Sequence, residues 1–159
     1  MVNLPFRYST RKTFVQFLHL KHKSGSDEQS ALINMGILYR QLGNGEMSRD
    51  YLIQALQGLL KTGQIEGGRF SLAPIALEVL GLLAADGQEM RHAAVLLGVA
   101  EAQREVLNAG LTEDERNTLT QDMAPIRAAL QDSEFATAWA EGRALTLQQA
   151  LIYAMGFPT

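Results

Sequence analysis

Along most of the chain, apolar positions recur every three to four residues, the spacing of helices that bury one side. Ser26 and Gln29 form a capping-box pair, and Leu32, Met35, Gly36 and Tyr39 follow, with Leu42 closing the stripe. Gly43-Asn44-Gly45 ends it, because glycine and asparagine tolerate the left-handed conformation of a helix C-terminus. The spacing predicts a second helix over 46–62, with Leu52, Ala55, Leu56, Leu59 and Leu60 on one side and Gly63, Gly67 and Gly68 as the break. Ser71 is the expected N-cap of a third helix, with Pro74 in its first turn, where no backbone N–H is needed. Its inner face is Leu77, Leu80, Gly81 and Ala84, and Asp86-Gly87 ends it.

A fourth helix is predicted over 89–108, with Ala93, Leu96, Leu97, Ala100 and Val106 apolar and Gly110 as its stop. Thr112 and Glu115 make a second capping box. It opens a stretch to about Leu130 through Leu119, Met123 and Ile126, which Pro125 should kink or split in two. A short helix carrying Phe135 and Trp139 is expected to end at Gly142, and Thr146 with Gln149 opens a last one that ends near Met155. Residues 11–22 permit one more. No alternating strand pattern competes, so the fold class is all-α, with about 6–8 helices.

Two stretches repeat. With Gly36 placed over Gly81, an offset of 45, Leu32 aligns with Leu77, Met35 with Leu80, Ser48 with Ala93, Leu52 with Leu97 and Ala55 with Ala100. Gly43 falls one residue from Gly87. Small residues at matched places let helices approach closely, and a pair that buries little alone must stack on the next. The expected architecture is an α-α superhelix of stacked antiparallel pairs over 26–110. C-terminal capping helices of the same domain follow over 111–159, and a basic segment, partly disordered or one helix, precedes at 1–25.

These positions resemble the tetratricopeptide (TPR) pattern of a bulky residue, a small glycine step and an aromatic. Leu32, Met35-Gly36, Tyr39, Ser48, Leu52 and Ala55 carry it in one copy. Leu77, Leu80-Gly81, Ala93, Leu97 and Ala100 carry it in the next, where Ala84 replaces the aromatic. The spacing exceeds the usual repeat of about 34 residues, as in the variant of maltose-activator-like (MalT-like) regulators. The runs 93–105 and 135–150 are similar to the C-terminal region of large bacterial signal-transduction ATPases and transcriptional regulators. The chain has no ATPase and no obvious DNA-reading domain. The resemblance therefore implies the sensor or partner-docking end of such a regulator: cytoplasmic, non-enzymatic and without a cofactor. Its partner would be a peptide or a helix of another protein, and nucleic acid would be reached only through a parent regulator. The first helix of each pair lines the groove in that family, which places Ile33, Ile37, Arg40, Gln41, Glu78, Leu82 and Asp86 in the partner-binding surface. Gly36, Tyr39, Ala55, Gly81, Ala93, Ala100 and Trp139 would carry the packing. The N-terminal end of so short a stack is open, and a homodimer is one way to cover it.

Composition narrows the chemistry. The absence of cysteine excludes disulfides, thiolate metal sites and cysteine catalysis. No apolar run approaches the roughly 18 residues of a membrane span, and Met1 to Phe6 lacks the order of a secretory signal. The net charge of −3 hides an asymmetry: residues 1–25 hold Arg7, Arg11, Lys12, Lys21 and Lys23 and no acid, against 9 basic and 17 acidic residues in the remainder. Such a segment could dock on nucleic acid, a membrane surface or the protein's own acidic face, or simply be solvated. Phe6, Tyr8, Phe14 and Phe17 interleave with its charges, which permits base stacking and makes a nucleic-acid-binding accessory protein the alternative function. His19 and His22 are one turn apart but lack further ligands. Gly63 to Gly68 lacks the Gly-Lys-Ser/Thr of a phosphate loop. Glu113-Asp114-Glu115 suits a helix's first turn, where the dipole favours negative charge.

Overall fold

The computed structural model describes residues 27–63 and 72–156. Ser26, Gly67, Gly68, Ser71, His19, His22, the 11–22 helix and the basic segment lie outside them. The described residues form seven helices and no strand: α1 (Asp27–Gln41), α2 (Gly45–Thr62), α3 (Leu72–Asp86), α4 (Met90–Val106), α5 (Glu113–Ala129), α6 (Asp132–Ala144) and α7 (Leu147–Met155). None is long and apolar enough to cross a membrane.

Local chemistry sets the ends. Asn44 Oδ1 accepts from the Met47 N–H at 3.1 Å and opens α2. Complete capping boxes open α5 at Thr112 and Glu115, and α7 at Thr146 and Gln149. The α1–α2 and α3–α4 turns share one hydrogen-bond pattern at the 45-residue offset. Gly43 N–H donates to Arg40 O and Asn44 N–H to Tyr39 O, while Gln88 N–H donates to Ala85 O and Glu89 N–H to Ala84 O. The left-handed residues are Gly43 (φ 77°) and Gln88 (φ 66°). The turn counterpart of Gly43 is therefore Gln88 and not Gly87, because the offset is kept without a gap.

α1 and α2 pack antiparallel. Gln29 lies against Gly58 at one end, and Gly36 meets Leu52 and the Ser48 carbonyl at the other. The Ser48 hydroxyl donates to Gly36 O at 2.7 Å. α3 and α4 repeat this: Gly81 meets Leu97 and the Ala93 carbonyl. A Cβ on Gly36 would stand 2.6 Å from Leu52 Cγ, and one on Gly81 2.9 Å from Leu97 Cγ, so neither site has room for a methyl group.

α4 is the centre of the molecule, with every residue from Ala93 to Ala100 buried. One side, Leu96, Val99 and Ala100, joins a core cluster with Ile33, Leu52, Leu56, Leu59, Leu77 and, from α7, Leu147, Ala150 and Ala154. The other, Ala94, Val95 and Leu97, joins a second cluster with Leu82, Ile126, Phe135 and Ala138. α6 runs antiparallel to α4 at close range, Gly98 facing the Trp139 backbone and Gly142 the Val95 backbone. Small residues on both helices make this possible, since backbones approach only where side chains are absent.

Two boundaries differ from the sequence reading. α6 passes through Gly142 to Ala144. This glycine ends nothing; it is the contact with Val95, where any side chain would overlap backbone. α5 is not split at Pro125 but continues through it. Of α5 only Ile126 is buried, and Gln121, whose carbonyl loses its helical partner to the proline, is exposed to water.

Candidate functional site

The seven positions assigned to a groove separate into three kinds. Ile33 is 0% exposed and Leu82 6%, so neither lines an open surface. Ile33 belongs to the core that α1 shares with α2 and α3. Leu82 is covered by the C-terminal helices through Ile126 and Phe135. The resemblance to tetratricopeptide arrays places Leu82 in the groove, and sequence alone does not show that the C-terminal helices lie over α3.

Arg40, Asp86 and Glu78 are engaged within the molecule. Arg40 forms a two-pronged pair with Asp86, Nε to Oδ2 at 2.6 Å and a terminal nitrogen to Oδ1 at 3.0 Å. It joins the C-terminal ends of the first helix of each hairpin. Glu78 accepts from Arg104 of α4, both side chains being largely covered. Ile37 and Gln41 are half-buried on α1. Of the assigned positions, Ile37, Gln41 and the Asp86 side chain therefore keep partly exposed surface.

The packing residues fall as follows. Tyr39 stacks on Tyr51 with ring centroids 5.5 Å apart. Ala55, Ala93 and Ala100 are buried at helix contacts. Trp139 is half-buried, stacks on Phe135 at 5.4 Å and donates its indole N–H to Glu101 at 2.9 Å. Arg127 lies over the other ring of that stack, 3.8 Å from the Phe135 centroid.

Three polar features were not foreseen, because each joins residues far apart in sequence. Arg143 of α6 bridges Glu101 at 2.6 Å and Glu105 at 2.7 Å of α4. The hydrogen bond from Arg143 holds the Glu105 carboxyl below its ordinary range, and the two carboxylates raise the Arg143 guanidinium. Arg91 pairs with Glu141 at 2.5 Å at the other end of the same helix contact. Arg49 of α2 donates to the Ala154 and Met155 carbonyls at 3.2 and 2.6 Å, satisfying acceptors that the end of α7 leaves open. A cleft of about 300 Å³ beside it is lined by Arg49, Asp50, Ile53, Gln54 and Met155. It brings together the Arg49 guanidinium, the Asp50 carboxylate, the Gln54 amide and two apolar side chains. His92 stacks on Tyr153 at 4.6 Å, and burial pushes the Tyr153 phenol up. No group of three or more His, Cys, Asp or Glu suited to a metal occurs among the described residues.

No family profile, no curated protein and no solved structure matches the chain.

Proposed function

We propose that this chain is a non-catalytic protein-interaction or sensor module, of the kind that closes a bacterial transcriptional regulator, with its hairpins stacked in the tetratricopeptide-like manner. The single observation that carries the reading is the two-hairpin repeat. At an offset of 45 residues, α1–α2 and α3–α4 share the same turn hydrogen bonds and the same glycine-to-leucine contact. Repeated hairpins of this type build extended surfaces that act by shape, and their usual ligand is a peptide segment or a partner helix. The interaction surface we assign is the α1 side of the groove, Ile37 and Gln41 beside Arg40 and Asp86. It offers an apolar contact next to a charge pair whose Asp86 side chain is 51% exposed. A cytoplasmic partner protein fits this mixed surface.

A photo-crosslinking residue placed at Gln41, and separately at the exposed Gln57 of α2, tests the assignment in cells of the native host. One and the same protein captured from Gln41 and not from Gln57 is the expected result. Equal capture at both sites, or capture at Gln57 alone, removes the groove assignment.

A further inference from the structure

α1 carries a second apolar stripe on the side away from α2. Ala31 is exposed, Met35 is half-buried, and Leu38 and Leu42 are 43% and 54% exposed. They stand four, three and four residues apart, which puts them on one side of the helix. Beside Leu38, one turn earlier, the Asn34 side-chain oxygen is buried with no hydrogen-bond partner. The C-terminal end of the molecule differs, since α5 and α6 cover the second cluster there.

We infer that residues 6–22 of this same chain dock on the Ala31–Leu42 stripe, folding back along α1 and closing the open end. Four features select this occupant over a separate partner. The segment runs directly into α1, separated from Asp27 by only Lys23-Ser24-Gly25-Ser26. A connection that short favours antiparallel neighbours and keeps the tethered segment at roughly millimolar effective concentration.

The register also fits. Pairing about the 23–26 link sets Leu18 near Ala31 and Phe14 near Met35, and brings Phe6 and Tyr8 to the level of Leu42. Phe14, Phe17 and Leu18 have helical three-and-four spacing. In length, residues 7–18, which this register sets along Ala31–Leu42, would span roughly 18 Å as a helix at 1.5 Å per residue, the same as the stripe. Finally, the charges oppose: residues 6–22 hold four basic residues, Arg7, Arg11, Lys12 and Lys21, and no acid, whereas all 17 acidic residues lie from Asp27 onward, Asp27 and Glu28 opening α1 itself. This contact does not rely on the groove assignment, which concerns the Arg40–Asp86 side of α1.

The absence of native cysteine makes the test clean. In the full-length chain, Phe14→Cys is combined with Leu38→Cys, and separately with Gln57→Cys on the far side of the hairpin. A short bismaleimide is added at low protein concentration. An intramolecular link at Leu38, at monomer mass and about tenfold more abundant than at Gln57, is the tethered-contact result. A link at twice the chain mass assigns the stripe to a second copy and overturns the proposal. Equal or absent linking at the two positions overturns it as well. Folding of each variant is checked by its helical circular dichroism. If Leu38→Cys disturbs it, Ala31→Cys with Leu18→Cys reads the same register.

Discussion

At Gly142 of α6 a single methyl group would meet the Val95 backbone, which cannot rotate away as a side chain can. Gly142→Ala should therefore cost about 3 kcal/mol, the upper part of the range for overpacking. Gly36→Ala and Gly81→Ala press on leucine side chains and should cost about 1–2 kcal/mol each. Denaturant melts of the three variants check the order. An equal cost at all three would mean that α4 and α6 can separate freely. Gln88 supplies the opposite case. It holds φ 66° where its counterpart is Gly43, and a side chain in that conformation costs roughly 1–2 kcal/mol. Gln88→Gly should raise stability by about 0.5–1 kcal/mol, whereas Gly87→Ala should change little. Reading the glycine at 87 as the turn residue, as the sequence invites, predicts the reverse.

At the scale of elements, the α4–α6 pair joins close backbones in its middle to charge pairs at both ends. Glu105 is exposed, so its bond to Arg143 is screened by solvent and salt. Its direction with pH is nevertheless fixed. A carboxyl depressed in the folded state adds stability that is complete above its unfolded value of about 4.3 and fades as pH falls through the lower folded value. Glu105→Gln should therefore melt slightly below the parent at pH 7, with the gap narrowing as pH falls below about 4 and closing in 1 M salt. Trp139, the single tryptophan, reports the same contact. Glu101→Ala removes the side chain that accepts its indole N–H and should shift its fluorescence maximum. An unmoved maximum would show that Glu101 does not hold the ring in solution. Helix existence was legible in sequence because capping boxes and apolar spacing are local. The charge pairs were not, because Arg143 and Glu101 become neighbours only once α6 lies along α4.

The whole molecule is organised around α4, which belongs to both core clusters. Leu96 is 1% exposed within it, and Leu96→Ala should cost roughly 3 kcal/mol, as large-to-small core changes do. Because α4 links the clusters, unfolding should stay a single transition in this variant, and the slowest amide exchange should lie in α4. Two separate transitions would mean that the hairpins and the C-terminal helices fold independently. The groove assignment failed at Ile33 and Leu82 for a reason of the same scale. Their identities fit a lining residue, and only the placement of α2, α3, α5 and α6 decides that they are covered.

The sequence by itself determined the helical class, the ends of most helices and the two-hairpin repeat. Each rests on short-range physics: the period of burial, the partners of terminal N–H groups, and glycine where helices touch. Only the tertiary structure decided that Gly142 is a contact and not a stop, and that α5 runs through Pro125. It also decided that Arg40 and Glu78 spend their charges on Asp86 and Arg104, and that the other described helices leave one apolar side of α1 uncovered. Those outcomes depend on which surfaces meet across long separations, where many pairings satisfy the same local pattern and packing selects among them.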